Sequence, residues 1–175
     1  MYRVGNQSLY FLFLLFFLLQ TSIGHAQGIE TLPNYSFKYS AATKASKEDI
    51  WKLWSDVENW KKFDERIEYS RLKEGHDFSV GAQGYLKGKN APKTAFELIE
   101  VHPNVSFKQR LKLPLYQTIE LQRYFEESPD GQTIFTHEVN FKGRLKPLTY
   151  LLLCSAFKKD LELVIDQIQS IADQY

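Results

Sequence analysis

A chain of 175 residues with 22 basic and 21 acidic side chains, net charge +1, suffices for one domain and offers no excess of cations for a nucleic-acid face. A single cysteine excludes an internal disulfide framework. Stability must come from packing, for which 13 Phe, 10 Tyr and 3 Trp supply the area.

The first 26 residues read as a signal peptide. Arg3 is the only charged residue before Glu30, Leu9–Leu19 is an unbroken apolar run, and Gly24-His25-Ala26 is a small-x-small cleavage site. The run is short of the roughly 20 residues a membrane span needs, and Gln20, Thr21 and Ser22 end it. The expected product is a periplasmic or secreted domain, 27–175, beginning at Gln27; a retained anchor is the alternative. Removing 26 residues leaves 149, enough to bury about two-thirds of the surface.

In the mature chain Gln27–Pro33 reads as a loosely held lead-in. Tyr35–Tyr39 alternates aromatic and polar residues, a half-buried strand. Ser46-Lys-Glu-Asp49 is a helix start, a Ser N-cap with an acid three residues on. Ile50, Leu53, Trp54 and Val57 follow at helical spacing, and the helix breaks near Asn59–Lys62. From Ile67 to Lys142 the pattern is strands and turns. Strands over Thr94–Val101 and Val105–Leu113 flank the turn His102-Pro103-Asn104, and strands over Thr118–Glu126 and Gln132–Lys142 flank Ser128-Pro-Asp-Gly131. Short turns between consecutive strands predict an antiparallel meander. Tyr150, Cys154, Phe157, Leu161, Val164, Ile168 and Ile171 then mark one face of a long terminal helix over Leu148–Tyr175, with Pro147 suited to its first turn. A sheet curled around one helix is hard to fill with side chains and tends to leave a cavity.

The chain resembles the START-like superfamily (SRPBCC, helix-grip), and within it the polyketide cyclase/dehydrase and lipid-transport group. Ala45–Trp60 (ASKEDIWKLWSDVENW) is similar to that group's strand-to-helix opening. Val80-Gly81 and Phe96–Pro103 (FELIEVHP) are similar to its glycine strand and "E-V-x-P" turn. Asp130–His137 (DGQTIFTH) is similar to its "G-T-x-L-T-H" strand. The resemblance implies an α+β helix-grip fold: a curved antiparallel sheet of about seven strands wrapped around a long C-terminal helix. It leaves function open, since the fold hosts carriers, binders and cyclases.

Several chemistries lack the residues they need. Gly84-Tyr-Leu-Lys-Gly88-Lys89 is one residue short of a phosphate loop between its glycines and lacks the Ser or Thr that would hold the metal. His76, His102 and His137 are isolated, so no metal is expected, and no cofactor. No Gly-x-Ser-x-Gly elbow occurs. Cys154, on an apolar helix face, is expected to act as a small hydrophobe. Glu126-Glu127 and Glu97/Glu100 read as solvated strand edges.

Strand alternation singles out three polar side chains. Thr133, Phe135, His137, Val139 and Phe141 share an inward face; so do Ile119, Leu121, Arg123 and Phe125, and Val105, Phe107, Gln109, Leu111 and Leu113. His137, Arg123 and Gln109 each break an apolar row. Unpartnered, each costs on the order of 1–3 kcal/mol, so they satisfy one another in the core or meet a ligand in a pocket. Phe107, Phe135 and Phe157 are expected to line the same interior, and Trp60 and Phe63 its mouth. Leu148–Phe157 is apolar around nearly its whole circumference: either a core helix packed on both sides, or a portal segment that touches ligand or, transiently, membrane lipid.

These residues predict a non-catalytic binder or carrier of an apolar small molecule (lipid, polyketide or aromatic), with no nucleic-acid partner. The alternatives are a cyclase or dehydratase using His137 as general acid/base, and an envelope protein with a protein partner and a vestigial cavity.

Overall fold

The computed structural model describes residues 28–128, 131–172 and 174. The signal peptide and the Gln27 start lie outside them. The described chain runs β1 (Gly28–Leu32), β2 (Ser36–Thr43), α1 (Lys47–Ser55), a 3-10 helix (Val57–Lys62), β3 (Ile67–Leu72), β4 (Gln83–Gly88), β5 (Lys93–His102), β6 (Ser106–Lys112), β7 (Thr118–Glu127), β8 (Thr133–Lys142) and α2 (Lys146–Ala172). The strands form one antiparallel sheet in the order β1-β2-β8-β7-β6-β5-β4-β3, curved and unclosed around α2. From β3 to β8 it is a meander, and the β1–β2 hairpin joins it where β2 pairs with β8.

The eighth strand is β1, where the sequence suggests a loose lead-in. It is a short edge strand of five residues, held by one neighbour only and half exposed, so it carries little burial alternation to read. The Ser46 cap forms as the sequence predicts: its Oγ accepts from the Asp49 N–H and donates to the Asp49 carboxylate. Ile50 and Trp54 bury the inner face of α1, and the chain tightens into the 3-10 helix that buries Val57 and Trp60. The β7–β8 turn closes through the Gly131 N–H, which donates to the Ser128 carbonyl with Gly131 at φ +79°. Val105 departs from its expected place. It precedes β6, follows Asn104 at φ +57° and is 58% exposed, because the turn ends one residue later than alternation suggests.

In α2, Leu161, Val164, Ile165, Ile168 and Ala172 are buried against the sheet. The N-terminal half differs from a core helix packed on both sides. Leu151 is 75% and Leu152 69% exposed, and Leu148 is exposed with them. One side of this half packs on the sheet, Tyr150 and Phe157 against Phe141, and its outward side has no layer to pack on. The core has a second, aromatic centre on Trp54, which stacks on Phe125 at 4.6 Å and meets Phe107 and Phe135 edge-on or tilted at 5.9 and 6.4 Å.

Candidate ligand-binding site

Cross-strand register sets the site. Phe107 faces Arg123 across β6–β7, Arg123 faces His137 across β7–β8, and His137 faces Tyr39 across β8–β2. One row further along lie Leu98, Gln109, Leu121, Val139 and Phe37. Both rows lie on the inner face of the sheet, and between that face and α2 is a cavity of about 430 Å³, within the usual range for a small-molecule site. Its walls are mostly apolar, including Ile119, Leu121, Val139, Leu153, Phe157 and Leu161.

Gln109, Arg123 and His137 all line this cavity and are at least nine-tenths buried. Each leaves a buried side-chain atom without a hydrogen-bond partner: Gln109 Oε1, Arg123 Nη1 and His137 Nε2. Among the described residues only one other side-chain atom shares that condition, Trp54 Nε1. The expected inward trio is thus brought together, and these atoms do not satisfy one another. Burial pushes the Arg123 pKa down to about 10, with the Asp64 carboxylate acting the other way. Burial also holds the His137 imidazole well below its usual 6.5, and the neighbouring Arg123 charge adds to that shift. At neutral pH the pair is therefore a cation beside a neutral imidazole.

The aromatic positions divide. Phe157 and Trp60 line the cavity, whereas Phe107, Phe135 and Phe63 do not. Phe107 and Phe135 belong to the Trp54 cluster. Trp60 and Phe63 are buried and lie inside the fold, not at its mouth. With Phe107 they surround the Arg123 guanidinium, at 5.2 Å (Trp60), 5.7 Å (Phe63) and 5.2 Å (Phe107) from its carbon to the ring centroids. Trp60 is fixed by donating its Nε1–H to the Trp54 carbonyl at 2.9 Å. Beyond it, a Cβ at Gly84 would collide with the Phe96 ring and the Arg71 carbonyl, so glycine there lets Phe96 approach and pack on Trp60.

The mouth is built from residues that alternation does not single out. Asp64, Arg66 and Asp160 line the cavity where it meets exposed Ala91 and Pro92. Arg66 binds the Asp64 carboxylate through two hydrogen bonds, at 2.9 and 2.8 Å, and pairs with Asp160 of α2. This bridge ties the segment before β3 to the helix across the opening. Asp160 interrupts the inner face of α2 between Phe157 and Leu161, which is the signal that could have found it.

A second tether holds the β6–β7 loop. The buried Gln117 side chain accepts from the Leu145 N–H at 3.0 Å and donates to the Leu115 carbonyl at 2.9 Å. Leu115 and Tyr116 both have φ +57°, a conformation that bulky residues rarely adopt, and Tyr116 is 99% exposed.

No family model matches the chain, and no curated protein matches it. Solved structures do, at the level of fold. A protein from Arthrobacter aurescens shares 15% identity with a TM-score of 0.64, covering 85% of this chain and 92% of that one. Protein Ms6760 from Mycobacterium smegmatis shares 18% with a TM-score of 0.59, over 82% and 94%. The di-domain ARO/CYC StfQ from the steffimycin biosynthetic pathway shares 10% with a TM-score of 0.63, over 80% of this chain and 51% of its own. The architecture around the cavity is therefore one that known proteins share, a long helix held in a curved antiparallel sheet.

Proposed function

We propose that this chain is an exported START-like binder or carrier of an apolar small molecule, held in the cavity between the sheet and α2. One observation carries the reading: three buried polar atoms without partners converge on a single apolar cavity. Orphaned polar atoms cost on the order of 1–3 kcal/mol each, and a ligand with a polar end recovers that cost while its apolar body is desolvated. Export rests on the charged start, apolar run and small-x-small site of residues 1–26. The cyclase alternative is weaker. An imidazole held well below 6.5 is a poor base at neutral pH, and the carboxylate that acts on Arg123, Asp64, is itself held by Arg66.

Ligand exchange takes place at an anionic lipid surface. The exposed Leu148, Leu151 and Leu152 share one side of α2, and Gln117 ties the loop bearing Leu115 and Tyr116 to its start. Between Val139 and Lys159 there is no acidic residue, while Lys142, Arg144, Lys146, Lys158 and Lys159 are basic. An apolar stripe in a basic setting complements an anionic bilayer. No helix among the described residues is long and apolar enough to cross a membrane.

The decisive experiment fills the cavity. Leu121→Trp should keep the fold and lose uptake of the neutral fluorescent probe N-phenylnaphthylamine. Native mass spectrometry of wild type from its own compartment should show a retained small molecule. Unchanged probe binding in the variant would mean that the interior is not the binding site.

A further inference from the structure

Resting on the carrier reading, and going beyond it to the ligand's chemistry, we propose that the ligand is an amphiphile whose polar end is a carboxylate-type anion. That anion is seated on the Arg123 guanidinium beside His137, with the apolar body running toward Leu153 and Phe157.

The buried guanidinium has, among the described residues, no group in direct contact to take its hydrogen bonds and charge. Arg123 makes no ion pair among the described residues, and its Nη1 has no hydrogen-bond partner. The acids along the wall are engaged elsewhere. Asp64 is bound by Arg66 through two hydrogen bonds, and Asp160 pairs with the same arginine. Glu138, beside His137 in sequence, belongs to the opposite face of β8 and accepts from the Asn140 amide. Arg123 is left inside without a direct partner: Asp64, shared with Arg66, acts on it only through space. Burial lowers its pKa only to about 10, so it stays charged at neutral pH. A buried charge persists where it is paired or where a partner arrives.

The geometry narrows the partner. Trp60, Phe63 and Phe107 engage the guanidinium through their ring faces. That leaves its in-plane N–H groups, whose fork matches the two oxygens of a carboxylate. His137, cross-strand from Arg123, is neutral and can donate one N–H to the same anion. Gln109 lies one row further along and presents an acceptor to a donor group on the ligand body. At about 30 Å³ per water-sized group, the cavity holds roughly a dozen heavy atoms, the size of a medium-chain or bicyclic acid.

The test compares decanoate with decanol, equal in length and differing in charge, each displacing N-phenylnaphthylamine from wild type and from Arg123→Met and Arg123→Lys. Wild type should bind decanoate at least about 30-fold more tightly than decanol, the low end for losing one partner of a buried charge pair. Arg123→Met should level the two, and Arg123→Lys should retain a preference for decanoate. Equal binding of acid and alcohol by wild type overturns the assignment of an anion, even if Arg123→Met fails to fold. With the fluorescent probe still bound, that result leaves the carrier reading intact. An acid preference that survives in folded Arg123→Met also overturns it. Should the fluorescent probe, decanol and decanoate all fail to bind, the carrier reading falls and the anion assignment falls with it.

Discussion

Replacing Arg123 by Met should make the ligand-free protein more stable, a result opposite to that for most buried residues. The guanidinium is buried, and its pKa is pushed down from the usual arginine range to about 10. At about 1.4 kcal/mol per pKa unit, holding the charge costs on the order of 3 kcal/mol. The three ring contacts return part of this. At 5.2–5.7 Å they lie near the outer limit of such contacts and contribute about 0.5 kcal/mol each. Met keeps much of the apolar stem, so the net gain is about 1–2 kcal/mol, or roughly 2–8 °C in melting temperature for a domain of this size. Because the folded pKa is depressed, the unfolded chain binds more protons from about pH 10 up to the usual arginine range. Wild-type stability should therefore rise with pH in that window, and the variant's should lack the rise. Thermal and urea unfolding of both proteins, stripped of ligand, check the claim. A loss of more than about 1 kcal/mol in Arg123→Met would refute it and make the aromatic cage around Arg123 a structural device.

Three further outcomes follow. The His137 pKa is depressed in the fold, so its contribution is present above about pH 6.5 and lost as pH falls below; His137→Gln should flatten that acid-side decline in unfolding titrations. Arg66→Ala cuts the bridge across the cavity mouth. Stopped-flow release of N-phenylnaphthylamine should then quicken about fivefold for each ~1 kcal/mol the bridge contributes, with melting nearly unchanged, as expected of a partly exposed pair; an unaltered release rate would place the entry elsewhere. The pair Leu151→Asp and Leu152→Asp should lower co-sedimentation with vesicles containing phosphatidylglycerol by more than about tenfold against wild type with the same N-terminus. Equal sedimentation, or concentration-dependent dimers that the substitutions abolish, would assign the stripe to something other than lipid.

The fold was legible wherever burial imposes a period. β8 is inward at Phe135, His137, Val139 and Phe141 as alternation requires, and α1 begins at a Ser whose side chain caps it. β1 escaped because an edge strand paired on one side needs little apolar alternation. Val105 was misplaced because alternation cannot locate the residue at which a turn ends. The apolar circumference of Leu148–Phe157 suggested burial on both sides, yet hydropathy reports what a side chain would gain from leaving water. Whether a layer exists to receive it is a matter of architecture: the single sheet covers one side of α2, and on the other side Leu151 and Leu152 have none.

The site was legible in part, for a related reason. A lone polar residue on an inward row is visible in sequence because it breaks a pattern, and Gln109, Arg123 and His137 were found that way. Their convergence on one cavity depends on register between strands, which one strand cannot reveal: Arg123 and His137 are 14 positions apart in the chain and directly opposed in the sheet. The division of the aromatic residues depends on it too. Phe107 and Phe135 are inward like Val139, but they lie toward α1, where Trp54 fills the space. Val139 lies toward the middle of α2, where the space stays open. Alternation therefore gives the face, and register gives the position along it. What separates a filled core from a cavity on that shared face is the distance from α1, so the polar residues at that boundary, Arg123 and His137, are placed to meet a ligand's polar end while the aromatic cluster closes off the space behind them.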